Sequence, residues 1–302
     1  MKNIETVYSL AKILGCKAKY DESMANHTTF KIGGNAPLYI EVNKPSQLSQ
    51  IVKLCKEENV EYFILGNGSN LLVSDKGIDY VVICLKGDFK NISLLDNNTL
   101  YRGAGVSLAS LCREAEKNGL SGLEFAWGIP GTVGGAAYMN AGAYGGEMKD
   151  VVYSVHHIDK DGNLGTIKSS DLNFSYRHSI YKENGYIIIG ITVKLKLDNK
   201  NEIRNKMDDF MDRRKSKQPL EYPSAGSVFK RPEGNYAGTL IEQCGLKGKT
   251  IGGAQVSEKH AGFIINIGGA TCNDVQQLIE HIQSTVKDKT GYILEREIIF
   301  LN

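Results

Sequence analysis

The sequence predicts an α+β fold divided into two or three lobes, and three observations carry that prediction. A chain of 302 residues is longer than one hydrophobic core usually organises. Short apolar runs of strand composition alternate with segments whose apolar positions recur every three to four residues. The 33 glycines, about one residue in nine against a background of roughly 7%, cluster instead of spreading evenly. Clustered glycine marks backbone-lined sites more than flexible filler.

Residues 1–25 begin MKNIETVYSLAKILGCKAKY, where Ile4, Val7, Leu10, Ala11 and Leu14 predict an amphipathic helix. Its interspersed charges argue against a signal peptide. HTTFKIGGNAPLYIEV turns at Gly33-Gly34 into a strand over 37–42. PSQLSQIVKLCKEEN is helical, with Leu48, Ile51, Val52 and Cys55 on one face, and YFIL (62–65) is the next strand. YVVICL (80–85) is another strand, and ISLLDNNTLYRGAGV a hairpin turning at Asp96-Asn97-Asn98. SLASLCREAEKNG is a helix with Ser107 as N-cap, a buried stripe of Leu108, Leu111, Cys112 and Ala115, and Gly119 as its stop.

The densest glycine run, 128–147, is followed by strands VVYSVHHI and YIIIGITVKLKL. The charged helix 200–219, stopped by Pro219, is the expected linker and domain boundary. The last third reads as short strands around AGSVF and GFIINI, a helix over 273–289, and a final strand YILEREIIFL. Val275, Leu278, Ile279, Ile282 and Val286 share one face of that helix.

Net charge +2, from 36 basic and 34 acidic residues, argues against a nucleic-acid protein. No stretch reaches the roughly 20 apolar residues of a membrane span. Six scattered cysteines without a CxxC pair read as reduced core thiols of a cytoplasmic protein, with no disulfide framework and no metal site.

GNGSN (66–70), at the end of a strand, can offer several backbone N–H groups to one anion, because small residues let the backbone approach. GIPGTVGG (128–135) is a second such element. Both lack the Lys-Ser/Thr of a P-loop, and where a Rossmann fingerprint would have its third glycine, Gly66-Asn67-Gly68 is followed by Leu71 and Gly103-Ala104-Gly105 by Leu108. From the residues alone the ligand is a diphosphate-bearing molecule held mainly by backbone.

GNGSNLLVSD, GIPGTVGGAAYMNAGAYG, FSYRHS, YPSAGSVFKRP and LEREI occur in that order over residues 66–298. Together they resemble the UDP-N-acetylenolpyruvoylglucosamine reductase family. That resemblance implies an FAD-binding domain of the vanillyl-alcohol-oxidase (PCMH) type, in two subdomains, over 26–198 with a split near 84. The helical linker 199–219 and a smaller α+β substrate-binding domain over 220–302 would follow. It implies a flavoenzyme that takes hydride from NADPH onto FAD. Flavin N5 then delivers hydride to the enolpyruvyl group of UDP-N-acetylglucosamine enolpyruvate, giving UDP-N-acetylmuramate for peptidoglycan synthesis. Neither glycine loop contains a histidine, so the FAD is expected to be non-covalent. His27 and His178, which flank motifs, read as hydrogen-bonded structural residues. A monomer without nucleic-acid or membrane partners is expected.

By the same resemblance, Gly66, Asn67, Gly68, Ser69, Asn70 and Leu71 wrap the FAD diphosphate. Gly128, Ile129, Pro130, Gly131, Thr132, Gly134, Gly135, Asn140 and Gly142 line the dinucleotide and flavin. Arg177 would face the substrate carboxylate, since a guanidinium is permanently cationic and forks onto carboxylates. Ser227 would protonate carbon, and Glu297 would hydrogen-bond the developing enolate. Tyr176, Lys230, Arg231 and Asn140 would contact substrate, and Arg213 or Arg214 is an alternative for nucleotide phosphate. Tyr138, Tyr144 and Trp127 either stack on a ring or anchor the loops.

In a strand, Glu295 and Glu297 share a face, so periodicity leaves both open. The family pattern, with its glutamate at the second acidic place of LExE, chooses Glu297. The 49 residues between Arg177 and Ser227 fit the family's shorter layout, without the inserted lid tyrosine. Two rivals stand beside this one. A flavin oxidase of the same fold would leave AGSVFKRP and LEREI without roles, and a flavin-binding module without turnover would have lost Arg177, Ser227 or Glu297.

Overall fold

The computed structural model describes residues 2–302; Met1, first residue of the expected N-terminal helix, lies outside them. By contact the chain forms two units. One comprises Met1–Tyr20, Leu38–Gly66 and Tyr80–Arg213, the other Asp21–Pro37, Asn67–Asp79 and Arg214–Asn302. This grouping follows pairing between distant segments, whereas the expected division at 25, 198 and 219 follows the chain.

In the first unit the N-terminal helix is Lys2–Ile13 and stops short of the expected residue 20. KAKYDES instead forms strand Lys17–Ser23, whose mostly exposed polar residues carry no apolar alternation. This strand edges a four-stranded sheet in the order Lys17–Ser23, Asn35–Val42, Val81–Leu85, Tyr62–Leu65. Asn35–Val42 and Tyr62–Leu65 both run parallel to Val81–Leu85, whose five residues are all buried. Continuous burial is what a central parallel strand requires. Helix Pro45–Glu57 buries Leu48, Ile51, Val52 and Cys55, the face its spacing marks.

The second sheet of this unit is antiparallel, in the order Leu164–Lys168, Val152–Ile158, Ile187–Lys194, Thr99–Gly103, Ile92–Asp96. Helix Leu108–Lys117 packs Leu108, Leu111, Cys112 and Ala115 inward, and Ser107 Oγ accepts from Ser110 N at 3.2 Å as the predicted cap. Helix Lys200–Lys217 is more than the solvated linker expected, because Ile203 and Met207 join the buried core of this unit.

The second unit centres on an antiparallel sheet in the order Ser224–Ser227, Phe263–Asn266, Ala254–Val256, Thr250–Ile251. Helix Cys272–Thr290 buries Val275, Leu278, Ile279, Ile282 and Val286 in a core that also takes in Phe30, Ile32 and Leu72. Two ties recruit the early segments. Strand Leu71–Val73 pairs in parallel with Ile299–Leu301. Asp75 accepts from the first free N–H groups of the helix, Cys272 N at 2.8 Å and Asn273 N at 3.1 Å, which suits a carboxylate at a helix N-terminus. The expected final strand shrinks to Ile299–Leu301; residues 294–298 run irregularly, with one bridge between Phe229 and Arg296.

All six cysteines are buried free thiols. Burial pushes Cys55, Cys112 and Cys272 up to about 12, so they stay protonated and unreactive at neutral pH. Among the described residues no helix is long and apolar enough to cross a membrane. Nor do three or more His, Cys, Asp or Glu side chains gather as a metal site among them.

Candidate active site

In the second unit, three of the predicted motifs meet through the backbone. Glu297 N donates to Val228 O at 2.8 Å, so LEREI runs beside the residue following Ser227. Asn70 Nδ2 donates to Glu297 O at 3.2 Å and Ile299 N to Asn70 O at 2.9 Å, which fastens the end of GNGSN to the same C-terminal segment. Thr29 bridges the third side, donating from N to Gly68 O at 3.2 Å and from Oγ1 to Ser224 O at 2.7 Å. HTTF (27–30) therefore belongs to the site framework through Thr29, a residue type and position that carry no signal in the sequence. His27 itself bonds to Glu22 at 2.9 Å, a structural role.

Ser227 ends its strand just after a bulge: Ser224 pairs with Ile265 and Ser227 with Phe263, three steps against two. Bulges re-aim side chains and are common beside active sites. Among the described residues the Ser227 hydroxyl has one acceptor, Phe229 O, at a long 3.3 Å. Gly226 has φ +78°, and no heavy atom lies within 4 Å of where its Cβ would stand, so the backbone just before Ser227 borders open space, and Ser227 itself is half-buried. His260, absent from the sequence prediction, flanks the same spot. A Cβ on Gly262 would lie 3.0 Å from its ring and 3.5 Å from Ser227 Oγ. Burial lowers the His260 pKa, and its Nδ1 accepts from Gly262 N at 3.1 Å.

Local structure separates the two glutamates that periodicity leaves tied. Glu295 is 70% exposed and pairs with Lys230 at 2.9 Å. Glu297 is half-buried and lies on the irregular segment whose backbone bonds to Val228, next to Ser227. Lys230 thus has a carboxylate partner of its own, and Arg231 lies 4.0 Å from the Tyr236 ring centroid.

In the first unit, Gly66 and the second glycine loop touch: a Cβ on Gly66 would come within 2.8 Å of Thr132 Oγ1. That loop is zipped to the segment after strand Thr99–Gly103 by Leu108 N to Gly131 O, Val133 N to Val106 O and Gly134 N to Ala104 O, at 2.8–2.9 Å. A Cβ on Gly134 would meet Ala104 Cβ at 2.7 Å. The run is not all loop, since residues Val133–Tyr138 form a helix capped by Thr132, whose Oγ1 accepts from Gly135 N. Gly128, Ile129, Gly131 and Thr132 are half-exposed, and Pro130 and Gly135 exposed, which leaves a strip of bare backbone at the surface. Trp127 precedes it with indole Nε1 buried and without a hydrogen-bond partner among the described residues. Arg113 lies 5.7 Å from its ring centroid. A backbone strip, close-packed glycines and an orphaned donor fit a phosphate-bearing cofactor.

Gly142 is better explained by packing. Its Cβ would meet Gly146 O at 2.7 Å across the hairpin Gly142–Ala143/Gly146–Glu147. Asn140, expected against cofactor and substrate, is 0% exposed. Its amide donates to Glu147 Oε2 at 2.8 Å and Ser175 O at 2.9 Å, and accepts from Lys149 N at 2.9 Å. The structure gives it an internal bracing place.

Arg177 occupies the left-handed region at φ +54°, a conformation costing a non-glycine residue roughly 1–3 kcal/mol. Ser175 and His178 exchange backbone bonds at 3.1 and 3.2 Å around it, closing a two-residue turn. Tyr176 is 46% exposed, with the Arg177 guanidinium 5.1 Å from its ring centroid. His178 pairs with Glu183 at 3.1 Å. Tyr144 stacks on Phe210 at 4.6 Å, and Lys182 lies 5.7 Å from the Tyr138 ring. Arg213 pairs with Asp209 at 2.8 Å, and buried Arg214 donates to Gln218 at 3.1 Å.

Gly68→Ala tests the first glycine loop. Gly68 has φ +61°, and a Cβ there would collide with the His27 carbonyl and lie 2.9 Å from Thr28 Cα. The variant is expected to lose roughly 1–3 kcal/mol of stability and most bound flavin, read from the melting temperature and the 450 nm absorbance per chain. Unchanged values would show that the loop has slack.

Residues 218–301 match the family model described as UDP-N-acetylenolpyruvoylglucosamine reductase, C-terminal domain, and residues 36–168 match FAD binding domain. The chain is 47% identical over 282 residues to the UDP-N-acetylenolpyruvoylglucosamine reductase of Syntrophomonas wolfei, covering 93% of this chain and 94% of the relative. It is 46% identical to that of Clostridioides difficile, covering 100% and 99%. The crystal structure of the Thermus caldophilus reductase superposes with a TM-score of 0.82 at 36% identity, covering 95% of this chain and 99% of that one.

Proposed function

Because the chain belongs to the UDP-N-acetylenolpyruvoylglucosamine reductase family, we propose that it reduces UDP-N-acetylglucosamine enolpyruvate to UDP-N-acetylmuramate for peptidoglycan synthesis, in the cytoplasm, with non-covalent FAD and NADPH. The observation that carries this reading is the joining of Ser227 and Glu297 through the Glu297 N to Val228 O bond, beside open space at Gly226. Bound FAD would supply hydride from NADPH to the terminal carbon of the enolpyruvyl ether. Residues 66–71 and 128–135 would hold it by backbone.

Hydride arrival leaves an electron pair that spreads from the neighbouring carbon into the substrate carboxylate. Arg177 would hold that carboxylate, and its guanidinium would become more favourable as charge builds. Glu297 would hydrogen-bond the enolate oxygen. Ser227 would pass its hydroxyl proton to the neighbouring carbon, closing the C–H bond and completing the lactyl ether. Lys230 and Arg231 remain the proposed contacts for the UDP diphosphate, Lys230 by exchanging Glu295 for phosphate. Full-length similarity to reductases, reaching through residues 218–301, favours this reading over an oxidase on the same flavin fold.

Purified protein is expected to be yellow, and denaturation should release intact FAD. Under anaerobic stopped-flow, NADPH should bleach the 450 nm band and the enolpyruvyl substrate alone should restore it. Protein that stays colourless after FAD supplementation, or a band restored only by oxygen, would count against the proposal.

A further inference from the structure

Two hydrogen bonds in the first unit hold the turn carrying Arg177 to the segment that follows the second glycine loop. Asn140 Nδ2 donates to Ser175 O at 2.9 Å, at the start of the turn. Ser179 Oγ donates to Tyr138 O at 2.7 Å, just past its end. Both side chains are 0% exposed. Asn140 also sits in the left-handed region, at φ +43°, which asparagine tolerates, whereas Arg177 at +54° is strained there. A strained residue persists only where its surroundings over-determine it, and the two bonds supply that constraint.

Glu147 completes the brace. Its carboxylate accepts from Asn140 and pairs with Lys149 Nζ at 3.0 Å. Burial alone would raise this carboxyl; bonds from Lys149 and Asn140 and the fields of Lys149 and Arg177 hold it below the usual carboxylate range. An ionised Glu147 aligns the Asn140 amide, so that one N–H points to the carboxylate and the other to Ser175 O.

We propose that Asn140 and Ser179 are positioning residues: they fix the Arg177 turn against the glycine-loop segment, and so set where the guanidinium stands relative to the bound flavin. The inference rests on the reductase reading above and deepens it. Hydride transfer depends on the reacting carbon approaching the flavin at close range, and a misplacement of about 1 Å can cost on the order of 10²-fold. Neither residue touches a reacting atom; both act through Arg177.

The test uses holoenzyme in anaerobic stopped-flow, with each half-reaction measured separately. Asn140→Ala is expected to slow reoxidation by the enolpyruvyl substrate by roughly 10–100-fold. Flavin content, flavin spectrum and reduction by NADPH should stay within about twofold. Ser179→Ala, which removes one oxygen, should show a smaller loss of the same kind. Glu147→Gln keeps an acceptor for Asn140 and should retain most of the rate, whereas Glu147→Ala should not. In an Arg177→Lys background, Asn140→Ala should cost less than about threefold, because both changes remove one function.

Fully multiplicative losses in that double variant, or equal losses in both half-reactions, would overturn the inference. If Asn140→Ala does not fold, Ser179→Ala carries the test, and unaltered reoxidation there overturns it too. Wild-type enzyme that the substrate fails to reoxidise would reject the reductase reading itself, a distinct outcome.

Discussion

Ser227→Ala is expected to slow reoxidation of the reduced flavin by the enolpyruvyl substrate by roughly 10²–10⁴-fold, the range of a lost general acid. Reduction by NADPH should be nearly unchanged. The prediction follows from where the hydroxyl stands. It closes a bulged strand, is half-buried, and among the described residues has one acceptor, Phe229 O at 3.3 Å. A bond that long is weak, and Ser227 is partly exposed, so the proton can turn to a better acceptor. Serine is a feeble acid in water, and the role demands a strongly basic carbanion and a site that excludes solvent. Alanine keeps the backbone and removes the hydroxyl that carries the proton. Equal slowing of both half-reactions would reject the proton-donor role, because NADPH oxidation requires no protonation at substrate carbon.

Glu297→Gln should reduce reoxidation by about 10²-fold, and Glu295→Gln should change it by less than about twofold. The difference lies in surroundings more than in chemistry. Glu295 is largely solvated, and its ion pair with Lys230 is of the exposed kind worth about 0–1 kcal/mol. Glu297 is half-buried, its N–H on Val228 O and its carbonyl on Asn70, so its position is fixed from both sides. Glutamine is nearly isosteric and leaves those backbone bonds intact, so a loss at 297 reports the carboxyl itself. The reverse ranking would move the assignment to Glu295.

Much of the fold was legible because burial leaves a period. The stripes Leu48-Ile51-Val52-Cys55 and Val275-Leu278-Ile279-Ile282-Val286 face inward as their spacing predicts. Lys17–Ser23 was not legible, since an edge strand open to water needs no apolar alternation. Helix Val133–Tyr138 hid among glycines, which disfavour helix, and is held by its Thr132 cap and close packing on Ala104. The site motifs could be named from their order along the chain. Their ties could not: Asn70 to Glu297, Asn140 to Ser175 and Thr29 to Ser224 are single bonds between side chain and distant backbone. Such a bond imprints no periodicity and appears only once the chain is folded.

The second unit is sewn from three separated pieces, and this sets an order of events at the ribosome. Phe30, Ile32 and Leu72 share a core whose other members all lie at residue 225 or later. Between Asp79 and Arg214 the chain spends 134 residues, Tyr80–Arg213, elsewhere. At roughly 5–20 residues per second, translation of that stretch takes on the order of ten seconds. For that interval three large apolar side chains have emerged with nowhere to go, as has Asp75, whose helix does not yet exist. The half of the protein bearing Ser227 and Glu297 is thus the last to mature.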